Sequence, residues 1–309
     1  MHAYPVALGL LLLASPVAAQ QRAEPVSRPG NARAELSVGA EYRTGDYGTG
    51  ERIEGRSAVA GARVVKGRVI LSASLPYTKV DAPGNVVTGG GGLFGLPIIV
   101  DPTQPATRMR RQGVGDLRLG AAWVAPLKAV DLAAYGQVKL PTAKAGLGTG
   151  KTDYAVGAEA SKALGPVTPF ANVTYTMPGS PDGYHLRNTL AGQAGLNAAL
   201  GAGISGQVAY GYAQSPGATL SDEQLVSMRL TTNVSSRLSL SALGGAGLSK
   251  GAPDASAGCN SVFACFRRAR AADTKQAAHD SYYGGEADFD TVWDQVREAA
   301  DALVAMLKR

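Results

Sequence analysis

GRVILSASLPY, residues 67–77, alternates strictly. Val69, Leu71, Ala73, Leu75 and Tyr77 fall on one face, and Arg68, Ser72 and Ser74 on the other. A period of two belongs to an extended strand with one apolar and one polar face. The pattern recurs along the chain. In RAELSVGAEYR (33–43), Leu36, Val38, Ala40 and Tyr42 oppose Glu35, Ser37, Glu41 and Arg43. In GDLRLGAAW (115–123), Leu117, Leu119, Ala121 and Trp123 oppose Asp116 and Arg118. DLAAYGQVKL (131–140) sets Leu132, Ala134, Val138 and Leu140 against Asp131, Gln137 and Lys139.

Extending this reading outward predicts about twelve strands, near 33–43, 56–65, 68–78, 113–125, 130–140, 152–163, 167–177, 187–199, 203–213, 223–234, 237–248 and 255–266. Short turns fall at Lys66-Gly67, Leu127-Lys128, Gly165-Pro166, Gly201-Ala202 and Ser235-Ser236. Long loops fall at 44–55, 79–112, 141–151, 178–186, 214–222 and 249–254. An even strand count with alternating short and long connections is the wiring of an outer-membrane barrel. The fold class expected is therefore all-β: a transmembrane antiparallel up-and-down β-barrel. Tyr42, Tyr77, Trp123, Tyr154, Tyr175, Tyr210 and Tyr212 lie near segment ends on its outer face, where interfacial girdles belong.

Composition agrees. Among 309 residues there are 40 glycines and only five phenylalanines. A soluble core of that size needs more bulk, whereas a barrel presents its apolar face to lipid and keeps a polar lumen. Residues 1–19 carry an apolar run from Val6 to Ala14, then Pro16 and Val17-Ala18-Ala19, the outline of a secretory signal peptide. That run is too short for a membrane anchor. A polar leader (20–32) follows, then the barrel (33–266) and an extension (267–309). The net charge of +6 is scattered, and export removes nucleic acid as a partner. The expected location is the bacterial outer membrane. Expected partners are outer-membrane lipid, lipopolysaccharide, the barrel assembly machinery and small-molecule solutes.

Several stretches carry chemical suggestions. Ala145-Gly146-Leu147-Gly148-Thr149-Gly150-Lys151-Thr152 approximates a phosphate-cradling loop, but Ala145 stands where the first glycine belongs and a strand follows. His185, in a loop, is the one histidine near the barrel that a hydrolase reading could use as a base. Cys259 and Cys265 lie six apart, about 20 Å on a strand, beyond disulfide reach and outside zinc spacing. No catalytic, cofactor or metal site is expected. Arg108-Met109-Arg110-Arg111 closes the longest loop, either as a solvated basic run or as a patch for lipopolysaccharide or anionic solutes. GGGGLFGLPIIV (89–100) is apolar and either folds into the pore or packs on the barrel mouth. In the extension, FDTVWDQVREAADALVAMLKR (289–309) repeats apolar residues at three and four, and a helix over about 287–309 is expected. It suits a periplasmic partner, a plug, or no function at all.

Leu75-Pro76-Tyr77, Gly113-Val114-Gly115-Asp116-Leu117, Lys139-Leu140-Pro141-Thr142 and Gly148-Thr149-Gly150-Lys151-Thr152-Asp153-Tyr154 together resemble the MetA-pathway phenol-degradation (transporter-like) outer-membrane family, over roughly residues 35–250. Ala143 departs from the glycine that usually follows Pro-Thr. The resemblance implies an outer-membrane barrel that passes small, often aromatic, compounds.

The pore-lining candidates are Glu41, Arg43, Arg63, Arg68, Asp116, Arg118, Gln137, Lys139, Asp153, Glu159, Asn172, Gln193, Gln207 and Arg229, with Glu35 and Asn197 on the same face. Mixed signs argue for internal pairing over strong ion selectivity. The expected role is a passive channel for small solutes, not an enzyme. The alternatives are a non-conducting barrel that anchors or binds, and a hydrolase resting on His185.

Overall fold

A computed structural model describes residues 32–88, 98–100, 105–127, 130–217 and 220–266. The expected signal peptide, most of the leader and the C-terminal extension lie outside the described residues. The strands are β1 (Ala32–Gly45), β2 (Ile53–Lys66), β3 (Val69–Pro83), β4 (Val86–Thr88), β5 (Ile98–Val100), β6 (Arg108–Val114), β7 (Leu117–Pro126) and β8 (Asp131–Leu140). They continue as β9 (Asp153–Ser161), β10 (Val167–Met177), β11 (Thr189–Gly201), β12 (Ile204–Ala213), β13 (Glu223–Asn233), β14 (Leu238–Gly247) and β15 (Ala255–Phe266).

Every main-sheet pairing is antiparallel between neighbours, β1 pairs with β15, and β2 with β3, so the sheet closes on itself. β6 and β7 share one position beside β3, which makes twelve staves. Closure leaves no unpaired edge, which a sheet in lipid requires. The outer face is apolar: Leu71, Leu196, Val208 and Met228 are each more than half exposed. Six tyrosines of the predicted girdle stand toward the long-loop end, and Trp123 toward the short-turn end.

The structure changes two boundaries. The loop expected over 79–112 is shorter, because β3 runs on to Pro83 and β6 starts at Arg108. Arg108 and Arg110 are strand residues paired to Asp81 at 2.6 and 3.0 Å, so the basic run is wall and not loop. Opposite charges on adjacent strands favour continued pairing. Secondly, the strand expected over 113–125 is broken. Tyr77 pairs with Val114 but Ser74 with Arg118, a shift of one residue that makes a bulge at Gly115-Asp116. A β carbon on Gly115 would lie 2.8 Å from the Pro76 ring, so only glycine lets the two strands pass there.

Candidate functional site

Inward-facing residues are named by the same period-two rule, now anchored by burial. The candidates on the strands, Glu41, Arg43, Arg63, Arg118, Gln137, Lys139, Asp153, Glu159, Asn172, Gln193, Gln207 and Arg229, all face the lumen, and Asp116 does so from the bulge. Arg68 does not. It sits exposed in the two-residue turn between β2 and β3, because the left-handed Gly67 ends the strand one residue later than expected.

The candidates separate into clusters. Lys139 Nζ lies 2.8 Å from Asp153 Oδ2 and 3.4 Å from Asp116 Oδ2, with all three residues buried. Their remaining groups hold loops. Asp116 Oδ1 accepts from the Ala143 N–H at 3.0 Å, Asp153 Oδ1 accepts from the Gly179 N–H at 3.0 Å, and Lys139 Nζ donates to Thr149 Oγ1 at 3.1 Å. Thr142 Oγ1 accepts from the Leu117 N–H and donates to the Gly115 carbonyl. A β carbon on Gly148 would press within 2.8 Å of Asp116. The four motifs, scattered over eighty residues of sequence, therefore form one knot that folds residues 141–152 onto the barrel. No helix follows this loop, and its glycines serve close packing.

A second charged cluster holds Glu41 and Arg43, which are ion-paired and buried, with Arg229 and Glu223 within electrostatic reach. Arg118, on β7 three staves away, lies within electrostatic reach of Arg43. Toward the short-turn end, Glu35 pairs with Arg33 at 2.9 Å and Arg63 at 3.3 Å. The mixed signs are thus largely spent on one another.

At the long-loop end, Ile53, Val80 and Ala82 pack with Tyr47, Val86 and Leu147, and against these lie Val100, Ala143 and Leu220. The β4–β5 hairpin and three other connections thus supply an apolar cluster over the mouth. Of residues 89–100, only Ile98–Val100 are described. Further loop contacts hold this end: the Tyr212 hydroxyl donates to Asp222 at 2.5 Å, the Ser215 N–H donates to it at 3.0 Å, and Arg187 lies 3.4 Å away. Partial burial works to raise the Asp222 carboxyl, and these three partners overcome it and hold the group below the usual carboxylate range.

Two features escaped the sequence reading. Tyr135 and Phe170 point inward, on the same parity as the polar candidates. Tyr135 lies across Gly157, where a β carbon would overlap its ring, and meets Thr174 Oγ1 at 2.5 Å. Phe170 packs on Ala209, with Gly195 on the strand between. The available signal was a glycine at the facing register position of the next strand. The other feature is asymmetry: across from the long polar side chains of β9–β13, Ser37, Gly61 and Ser74 form one row of small residues on β1–β3, between the Glu35–Arg63 and Glu41–Arg43 pairs, with Gly39, Ser72 and Gly120 beside it. His185 is exposed in its loop, Cys259 and Cys265 are free, and no group of metal-binding side chains occurs among the described residues.

No protein-family model and no curated protein matches the chain. Solved structures do. The chain is similar to the COG4313 outer membrane channel from Pseudomonas putida F1, with a TM-score of 0.61 and 15% identity over 76% of this chain and 96% of that one. It also aligns with the KdgM porin (TM-score 0.45, 6% identity, 74% and 98% covered). The translocator domain of autotransporter NalP from Neisseria meningitidis gives a TM-score of 0.46 at 12% identity, covering 77% and 90%. At 15% identity the first likeness shows the fold, that of an outer-membrane barrel. With a closed wall, an apolar belt and a polar interior, the protein belongs in the bacterial outer membrane.

Proposed function

We propose that this barrel is a passive channel for small solutes and not an enzyme. The observation that carries the reading is the lumen's asymmetry: between two charged pairs on β1 and β2, a row of Ser37, Gly61 and Ser74 faces a wall of long, flexible polar side chains. Space therefore lies along the small-residue row, and swings of Gln207 or Arg229 widen it without moving a strand. The shared fold with a solved outer membrane channel supports the same reading. So do the motifs resembling the phenol-degradation family, which would make small aromatic compounds part of its traffic. Residues 1–19 serve export and 20–32 form a leader in this scheme. The barrel meets lipid and lipopolysaccharide outside and is inserted by the assembly machinery. Residues 267–309 are an extension that can meet a periplasmic partner.

The apolar cluster over the mouth favours a second reading, a non-conducting barrel that anchors or binds. One experiment divides the two. Purified protein in planar bilayers should give discrete ion conductance; silence of both the full chain and a variant lacking 267–309 would leave the anchor reading standing.

A further inference from the structure

The wall formed by β9–β12 differs from the rest of the lumen in how its polar atoms are used. Asn172 on β10 is 8% exposed, and neither its Oδ1 nor its Nδ2 has a protein partner. Gln193 Oε1 on β11, Ser161 Oγ on β9 and Gln207 Nε2 on β12 are in the same position. Gln193 and Ser161 are themselves 6% and 2% exposed. Asn172 stands in register with Gln193 on one side and Glu159 on the other, with Ser161 two residues along β9, so these groups are neighbours and not scattered accidents; Gln207 lies further along β12, in register with Asn197 and Arg229. Buried polar groups without partners are rare, and each costs stability.

Three further observations say what such a stripe is for. Its members are neutral amides and a hydroxyl, offering donors and acceptors together. Glu159 and Arg229 stand near its two ends with opposite charge, and each has a partner of its own, so the stripe carries no net charge to satisfy. In a ring of twelve staves, β10–β12 stand across the barrel from β1–β3, the strands that carry the small-residue row of Ser37, Gly61 and Ser74. On β10, Phe170 and Thr174 flank Asn172, and Tyr135 bonds Thr174, so ring surfaces border the stripe above and below.

We infer that Asn172, Gln193 and Ser161 form a binding site inside the lumen for a neutral, hydroxyl-rich solute, a polyol or small saccharide. Its hydroxyls give the amides the partners they lack, and its C–H faces rest on the bordering rings. Charged solutes gain nothing there, because the nearby charges are already paired. Unsatisfied amides raise the energy of the solute-free wall, so the solute's arrival relieves that cost and favours its entry. The inference deepens the channel reading and rests on it for the solute's route. It does not depend on conduction for the binding itself.

The test uses the full chain and D-arabinose as probe, with benzoate and lysine as comparators. In planar bilayers, arabinose should block the ion current in a saturable way, and benzoate and lysine should not. Asn172→Leu combined with Gln193→Leu should raise the half-blocking concentration about tenfold or more, read against each protein's own open current, as the loss of one or two net hydrogen bonds requires. The same probe in detergent micelles should raise the unfolding temperature of the native protein and not of the double variant. If arabinose neither blocks nor stabilises, or does both equally in the variant, the site is overturned. If it stabilises but no current flows, the site stands and the channel reading falls.

Discussion

Two parts of one lumen use polar side chains in opposite ways. In the knot around Lys139, the bonds of Asp116, Asp153 and Thr142 reach into neighbouring loops. Along β9–β12, Asn172, Gln193, Gln207 and Ser161 keep polar atoms without protein partners. The first arrangement spends its hydrogen bonds on holding the barrel's upper end together. The second leaves them for something that passes. Burial alone would not have distinguished them, since both sets are below a tenth exposed apart from Thr142 and Gln207.

The largest effect should come from breaking the paired region. Lys139→Met leaves two buried carboxylates facing one another, and loss of one partner of a buried ion pair costs about 3–5 kcal/mol. The urea midpoint of the detergent-solubilised barrel should fall accordingly. Protease sites in 141–152 and 178–188 should open. A midpoint that did not move would mean the knot is ornamental.

Next is Gly148→Val, which drives a side chain into Asp116 and Ala143. Overpacking of this kind costs about 1–3 kcal/mol. It should release the loop while leaving the Lys139–Asp153 pair intact, which tryptic mapping beside the same urea titration would show.

The contrast sharpens with Asn172→Leu. Removing an unpartnered buried amide should change stability by less than about 1 kcal/mol, and in the stabilising direction, because replacement by an apolar group of similar shape removes a desolvation cost. A loss as large as that of Lys139→Met would show that Asn172 supports the wall, and the difference between the regions would disappear.

The smallest effect concerns the outer latch. Asp222 is held below the ordinary carboxylate range, so its contribution is present above that range and lost as the pH falls through its lowered value. Protease sensitivity of residues 214–222 should therefore rise on acidification. Asp222→Asn should show that sensitivity already at neutral pH and little further change. Because the latch is largely exposed, the shift should be small.

Much of this was legible in the chain. The alternation in 33–43, 67–77 and 131–140 gave strand, face and order, because a two-residue period has only two faces to choose between. Arg68 was misplaced because facing says nothing of where a strand stops. The Arg108–Arg111 run was read as loop because its ladder partner, Asp81, is far away in sequence. The inward rings of Tyr135 and Phe170 are not legible in their own strands, because Gly157 and Gly195, each on the next strand, are what make room for them.

By itself, then, the amino-acid order determined that this chain makes amphipathic strands, about how many, which side chains share a face, and that such strands end in a closed barrel in lipid. Closure decided everything that joins separate strands. That Asp116, Lys139 and Asp153 meet, that β10–β12 stand across the lumen from β1–β3, and that four connections converge over the mouth all follow from stagger and register. Those depend on hydrogen bonds between backbones far apart in sequence, and no local pattern encodes them.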